Sequence, residues 1–72
     1  MPTPTPAQLI DFEKAHWEHS GTKEEAIRRE LGLTPPRYYV LLLRAVADLE
    51  GIRHDALWAA RIRRRFDGSR AA

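Results

Sequence analysis

The side chains in this sequence that could do chemistry fall into two sets. The first is Glu13, His16 and His19, placed at helical spacing. A Glu-x-x-His pair is a ligand unit of di-iron helical bundles, but those sites use two such units and further carboxylates. Only one is present here. His16 also falls beside Leu9 and Phe12 on one apolar stripe, where a half-buried core histidine is the ordinary outcome. The chain has no cysteine, so it can form neither a thiolate zinc site nor a disulfide. Ser20 and Thr22 have no triad around them, and no glycine-rich loop could cradle a phosphate. The expectation is therefore no metal, no cofactor and no enzyme. Glu13 lies near the middle of the apolar stripe and needs a polar partner. An arginine or the N–H groups of a helix end would serve it, and a structural bond is expected ahead of general-base work.

The second set is the arginines. Net charge is +2 over 72 residues, unevenly spread. Residues 1–36 hold four basic side chains against six acidic ones, a net −2. Residues 37–72 hold eight arginines, no lysine and four carboxylates, a net +4. Arginine presents a planar fork that matches phosphates and base edges. The asymmetry points to a polyanionic partner; the plainer reading is a solvated, soluble surface. Arg37 and Arg44 are seven apart and share one helix face, while Arg61, Arg63, Arg64 and Arg65 crowd a single segment.

The elements that must position these groups read as helices throughout. Residues 1–4 are rich in Pro and Thr and are expected to be disordered or extended. They lack the basic and apolar regions of a signal peptide. Thr5–Gln8 reads as a helix start, with Thr5 as cap, Pro6 at the first helical position and Gln8 closing a capping box. The first helix is expected to reach about Ser20 and stop at Gly21, with Leu9, Ile10, Phe12, His16 and Trp17 on one face. Thr22–Glu25 reads as a second capping box opening a helix over Lys23–Leu31, which Gly32 closes. Leu33 is the apolar contact past that turn, and Thr34 caps a third helix from Pro35 to Glu50, ended by Gly51. Tyr38, Leu41, Leu42, Ala45, Val46 and Leu49 are spaced to face the core. Asp48 is placed to pair with Arg44. A fourth helix, Asp55–Phe66, repeats Trp58, Ile62 and Phe66 every four residues, and 67–72 reads as a flexible basic tail.

The sum is one all-α domain over 5–66, a three- to four-helix bundle. No apolar run approaches the length needed to cross a bilayer. A chain this short buries a marginal core, and without staples that points to compact helices, a dimer or a partner.

Ile27–Ala45, IRRELGLTPPRYYVLLLRA, resembles the helix-turn-helix of sigma-factor-like and other bacterial DNA-binding proteins. Ile27 and Leu31 match the inward positions of its first helix, Gly32 the turn glycine and Leu33 the turn apolar residue. Thr34 matches the cap of the recognition helix, and Tyr38 and Leu42 its inward positions. One departure is Arg28, which stands where the motif has a small residue; either its side chain points outward or the helices cross at an unusual angle. Asp11–Leu43, just under half of the chain, also resembles a family of small actinobacterial proteins of uncharacterised function. Phe12, Glu13, Trp17, Gly21, Lys23, Glu24, Ala26, Ile27, Gly32, Arg37, Tyr38 and Tyr39 carry that likeness, and the basic ARIRRR segment agrees with it. The double proline and the stretch HDALWAA depart from it. The resemblance implies a helix-turn-helix-like fold and DNA binding, and no known reaction.

On this reading the protein is a small DNA-binding protein, a transcriptional regulator or a nucleoid-associated protein of host or phage, acting in the cytoplasm on double-stranded DNA. Arg37, on the first turn of the third helix, is the candidate for guanine; Tyr39 would touch phosphate or a thymine methyl. Thr34 and Arg44 would meet phosphate. Arg61, Arg63, Arg64 and Arg65 would add sequence-independent affinity, or enter a minor groove as a basic arm. Trp58, Ile62 and Phe66 either form a homodimer face or cap the core. The alternative function is a helical interaction module that docks on transcription machinery or another protein through Tyr39, Val40 and Leu43. The paired prolines at the mouth of the third helix take positions whose N–H groups lack intrahelical partners. They also remove donors that could grip a phosphate.

Overall fold

A computed structural model describes residues 3–18 and 21–70, with side chains through Asp67. Among the described residues there are five α-helices: α1 (Pro6–Ala15), α2 (Gly21–Ala26), α3 (Pro35–Ala47), α4 (Leu49–His54) and α5 (Ala56–Arg70). Among the described residues there is no strand. The all-α bundle expected from periodicity is the fold found.

α1 starts as its sequence dictates. The Thr5 hydroxyl accepts from Gln8 N–H at 3.2 Å, and the Gln8 side chain accepts from Thr5 N–H at 2.8 Å. The helix ends at Ala15, earlier than expected; the anticipated end at Ser20 lies outside the described residues. α2 begins at Gly21, so Thr22 lies inside the helix and is not its cap. The expected capping box there does not form. The helix continues into a π turn over Ile27–Leu31, a widening that the pattern of apolar residues does not announce. Gly32 then takes φ 67°, in the left-handed region that glycine enters without strain. Its N–H donates to Arg28 O at 3.1 Å, and Leu33 N–H to Ile27 O at 3.5 Å, which satisfies the helix-end carbonyls. Arg28 is exposed, so it takes the outward option.

Thr34 caps α3 as expected. Its backbone is extended, its hydroxyl accepts from Arg37 N–H at 3.4 Å, and Pro35 and Pro36 open the helix. The residue before a proline is held away from helical angles, and an N-cap needs that conformation. α3 stops at Ala47, short of Glu50. Asp48 turns extended and caps α4, with its carboxylate accepting from Glu50 N–H at 2.8 Å. That role displaces the expected pairing with Arg44, and no ion pair joins those two residues. Leu49, expected in the core, is 59% exposed because the break rotates it outward.

Gly51 does not end a helix. It is buried within α4, and a Cβ there would stand 2.1 Å from Ala45 O and 3.0 Å from Ile10 Cδ1. The glycine lets α4 press against α3 and α1. Asp55 then caps α5 by accepting from Trp58 N–H at 3.1 Å. α5 continues to Arg70, past the expected end at Phe66.

The core gathers Leu9, Ile10 and Phe12 from α1, Ala26 and Ile27 from the second helical segment, and Tyr38, Leu42, Ala45 and Val46 from α3. Ala59 and Ile62 of α5 complete it. Within it lies Glu13, fully buried.

Candidate functional site

The buried carboxylate of Glu13 binds two partners from two other elements. Lys23 Nζ of α2 lies 2.9 Å from Oε1 and 3.0 Å from Oε2. Tyr38 of α3 donates its hydroxyl to Oε1 at 2.5 Å. Burial, and then this bond, push the Tyr38 phenol far above its ordinary range, so it stays protonated and donating. The expected partner was an arginine or a helix end; a lysine and a tyrosine serve instead. Lys23 is only 2% exposed, and no local pattern marks a buried lysine. The cluster opens onto no solvent and holds three helices together, which makes it a structural device. Among the described residues, no buried side-chain polar atom lacks a partner.

His16 behaves as a core histidine. Its ring stacks on Phe12 with centroids 4.1 Å apart, and Nδ1 lies 3.0 Å from Phe12 O. His19 lies outside the described residues. A hollow of about 320 Å³ sits between the end of α1 and α2, bordered by Lys14, His16, Trp17 and Lys23. Both of its lysines are already engaged, Lys23 by Glu13 and Lys14 by Asp55 at 2.8 Å. Among the described residues no cluster of acidic and histidine side chains could hold a metal ion.

α3 presents two different faces. Tyr38, Leu42, Ala45 and Val46 are buried. Pro36, Arg37, Val40, Leu43, Arg44 and Ala47 are exposed. Arg37 and Arg44 sit two turns apart at nearly the same angle, with Val40 between them at spacings of three and four residues. Thr34 is exposed but uses its hydroxyl as a cap. Tyr39, expected at the interface, is half-buried. Its ring meets Tyr38 at 4.9 Å and Phe66 at 5.7 Å, with Lys23 Nζ 5.4 Å over it. Within the fold, that ring is engaged by packing.

The four C-terminal arginines divide into two pairs. Arg65 stacks on Trp17, with its guanidinium carbon 3.9 Å from the ring centroid, and donates from Nη1 to Trp17 O at 2.7 Å. Arg61 lies 5.0 Å over Trp58 and 5.9 Å over Trp17, while the two indoles meet edge-on at 5.1 Å. This stack covers the unwound end of α1, where backbone carbonyls lack helical partners. Arg63 and Arg64 point away from it and are exposed. The sequence does carry the signal: Trp58, Arg61 and Arg65 are spaced three and four apart, one side of a helix. Reading the arginine run as a whole obscures it.

Of the three residues expected at a dimer face or as a cap on the core, Ile62 is fully buried, and Trp58 and Phe66 are partly buried and pack against the core. Among the described residues, no helix is long and apolar enough to cross a membrane.

The charge asymmetry sharpens once placed on this fold. α3 carries two arginines and no carboxylate, and α5 carries five arginines against Asp67. These helices pack on each other through Tyr39 and Phe66. The remainder of the chain holds nine carboxylates against five basic side chains.

These features define a small all-α domain with a glycine-turned helix pair and with arginines concentrated on two of its helices. The chain belongs to a family described as a protein of unknown function (DUF3263), whose model matches residues 3–72. No curated protein and no solved structure matches it.

Proposed function

We propose that this protein binds duplex DNA, with Gly21–Leu31 and α3 acting as a helix-turn-helix. The observation that carries this reading is the segregation of positive charge onto α3 and α5. Arg37 and Arg44 lie on the outward side of α3, and Arg63 and Arg64 on the free side of α5. Two arginine-rich helices on an otherwise acidic domain orient it toward a polyanion before contact. Arg37, on the first turn of α3, is placed as recognition-helix side chains that reach base edges are, and Arg44 follows two turns on. Arg63 and Arg64 add phosphate contacts, with Thr34 near the mouth of α3. The roles of Arg61 and Arg65 are reduced to what their guanidinium edges can reach beyond the tryptophans. A duplex ligand places the protein on the nucleoid, as a regulator or a coating protein.

Retardation of labelled duplexes at increasing salt tests this. Affinity should fall steeply with salt, and Arg37→Ala with Arg44→Ala should weaken it at least tenfold at one fixed ionic strength, since a good guanine contact at Arg37 contributes about 1–3 kcal/mol and the phosphate contact at Arg44 adds to it. Preference among unrelated duplexes identifies a regulator; equal affinity identifies a coating protein. If random and genomic duplexes both fail to shift at low salt, the reading is lost. A protein-docking module is then the reading to pursue, favoured by Val40 and Leu43, which are 44% and 43% exposed on α3.

A further inference from the structure

The outward side of α3 is not polar. Between and beside its two arginines run Pro36, Val40, Leu43 and Ala47, all exposed. Val40 sits three residues after Arg37 and four before Arg44. Leu43 and Ala47 extend the same ridge by further steps of three and four. Pro35 and Pro36 remove two of the backbone donors with which a helix N-terminus could hold a phosphate. A helix built in this way has little with which to grip the sugar-phosphate chain and much with which to touch an apolar group.

We infer that this ridge reads thymine methyl groups in the major groove, between guanines taken by Arg37 and by Arg44, which here takes a base edge in place of the phosphate first expected for it. The inference rests on the DNA-binding reading. Its chemistry follows from the base edges: thymine alone among the four bases offers a methyl group there, and guanine offers the paired acceptors that suit an arginine fork. Its spacing follows from the helix. Seven residues at about 1.5 Å each separate the arginines by roughly 10 Å. That equals about three base-pair steps of 3.4 Å. The favoured element is therefore G-T-T-G, two guanines with two thymines between them. A protein occupant fits the ridge less well. Its two large apolar side chains are each under half exposed. They fall far short of the roughly 800 Å² per partner that a stable protein interface buries. The arginines beside them match the paired acceptors of guanine.

Fluorescence anisotropy on two labelled duplexes decides the point. One carries repeated G-T-T-G blocks; the other has deoxyuridine in place of every thymidine, which removes only the methyl groups. Burying one methyl group is worth about fourfold in affinity, so two should give about fifteenfold weaker binding to the deoxyuridine duplex. The exposed-site variant Val40→Ala/Leu43→Ala should keep its helical circular dichroism and lose most of that difference. Equal affinity for both duplexes, with the salt dependence intact, would overturn the methyl reading and leave DNA binding standing. Failure of the wild-type protein to bind either duplex at low salt would overturn both.

Discussion

Charge is used in opposite ways at two places in this molecule. Around Glu13 it is withdrawn from water and closed on itself. The carboxylate, Lys23 and the Tyr38 hydroxyl satisfy one another and join α1, α2 and α3. On the outward faces of α3 and α5, Arg37, Arg44, Arg63 and Arg64 stand in solvent beside no carboxylate of their own helices except Asp67. The first arrangement is bound to the fold and the second is open to a partner. Arg61 and Arg65 lie between these extremes: charged, near the surface, and already stacked on indoles. The difference teaches that residue type does not separate structural from functional charge. What separates them is whether the fold supplies the counterpart.

The comparison predicts its largest effect at the closed site. Glu13→Ala leaves a lysine ammonium and a phenol buried without their acceptor. Removing one member of a buried ion pair costs about 3–5 kcal/mol. A domain of this size has a total stability on the order of 5–10 kcal/mol, so the variant should lose about half of it and unfold at a much lower urea midpoint. Urea denaturation followed by circular dichroism measures it. Replacing the whole cluster with apolar side chains, Glu13→Leu with Lys23→Met and Tyr38→Phe, should recover most of the loss. A Glu13→Ala protein with unchanged midpoint would show that the cluster is not what joins the helices.

Arg65→Ala should fall in the middle. It removes a cation stacked on Trp17 and a hydrogen bond to that residue's carbonyl. A loss of about 1–2 kcal/mol follows from the two together. It should also change Trp17 fluorescence. Arg64→Ala, one residue away, should do neither. If the two variants unfold alike, the division of the arginines into stacked and free pairs is wrong.

The free pair should show itself only in binding. Arg63→Ala with Arg64→Ala should leave the urea midpoint within about 0.5 kcal/mol of wild type, as surface changes usually do. The same variant should flatten the salt dependence of duplex affinity. Each lost phosphate contact lowers the slope of log K against log salt by about 0.9, so two lower it by nearly 2. An unaltered slope would remove α5 from the interface and leave α3 alone.

The sequence made some of this legible and hid the rest for physical reasons. Thr5, Thr34 and Asp55 begin helices because a short polar side chain can reach an N–H three residues on, and that is local. Gly32 is legible because only a left-handed residue turns the chain there. Thr22 satisfies the same local rule and still does not cap, since the helix starts earlier. Gly51 follows the helix-stop pattern, yet its place is set by how closely α4 approaches Ala45 and Ile10, a contact no local pattern contains. Glu13 announces that it needs a partner but not which one, because Lys23 and Tyr38 stand 10 and 25 residues away. The arginine face is partly legible: periodicity puts Arg37 and Arg44 together, while the sorting of residues 61–65 depends on where Trp17 ends up.

The smallest effect concerns an exposed pair that resembles the closed cluster in kind but not in setting. Lys14 meets Asp55 at 2.8 Å, with side chains 37% and 21% exposed. The bond to Lys14, and then the one from Trp58 N–H, hold the Asp55 carboxyl below its ordinary range. The bond to Asp55 holds the Lys14 amine above its own. A lowered carboxyl favours folding above its unfolded titration range and loses that contribution as pH falls through the folded value. A raised amine favours folding below its unfolded value and loses it as pH rises through the folded one. The pair therefore contributes across the neutral range and fades at both acid and alkaline ends. Lys14→Met should lower the melting temperature slightly near neutrality and by less at either extreme, where wild type has already lost the interaction. Because water screens the pair, the difference should shrink further in high salt. The Glu13 cluster, out of water, should show no such salt dependence, and equal salt responses at the two sites would erase the distinction between charge the fold encloses and charge it leaves exposed.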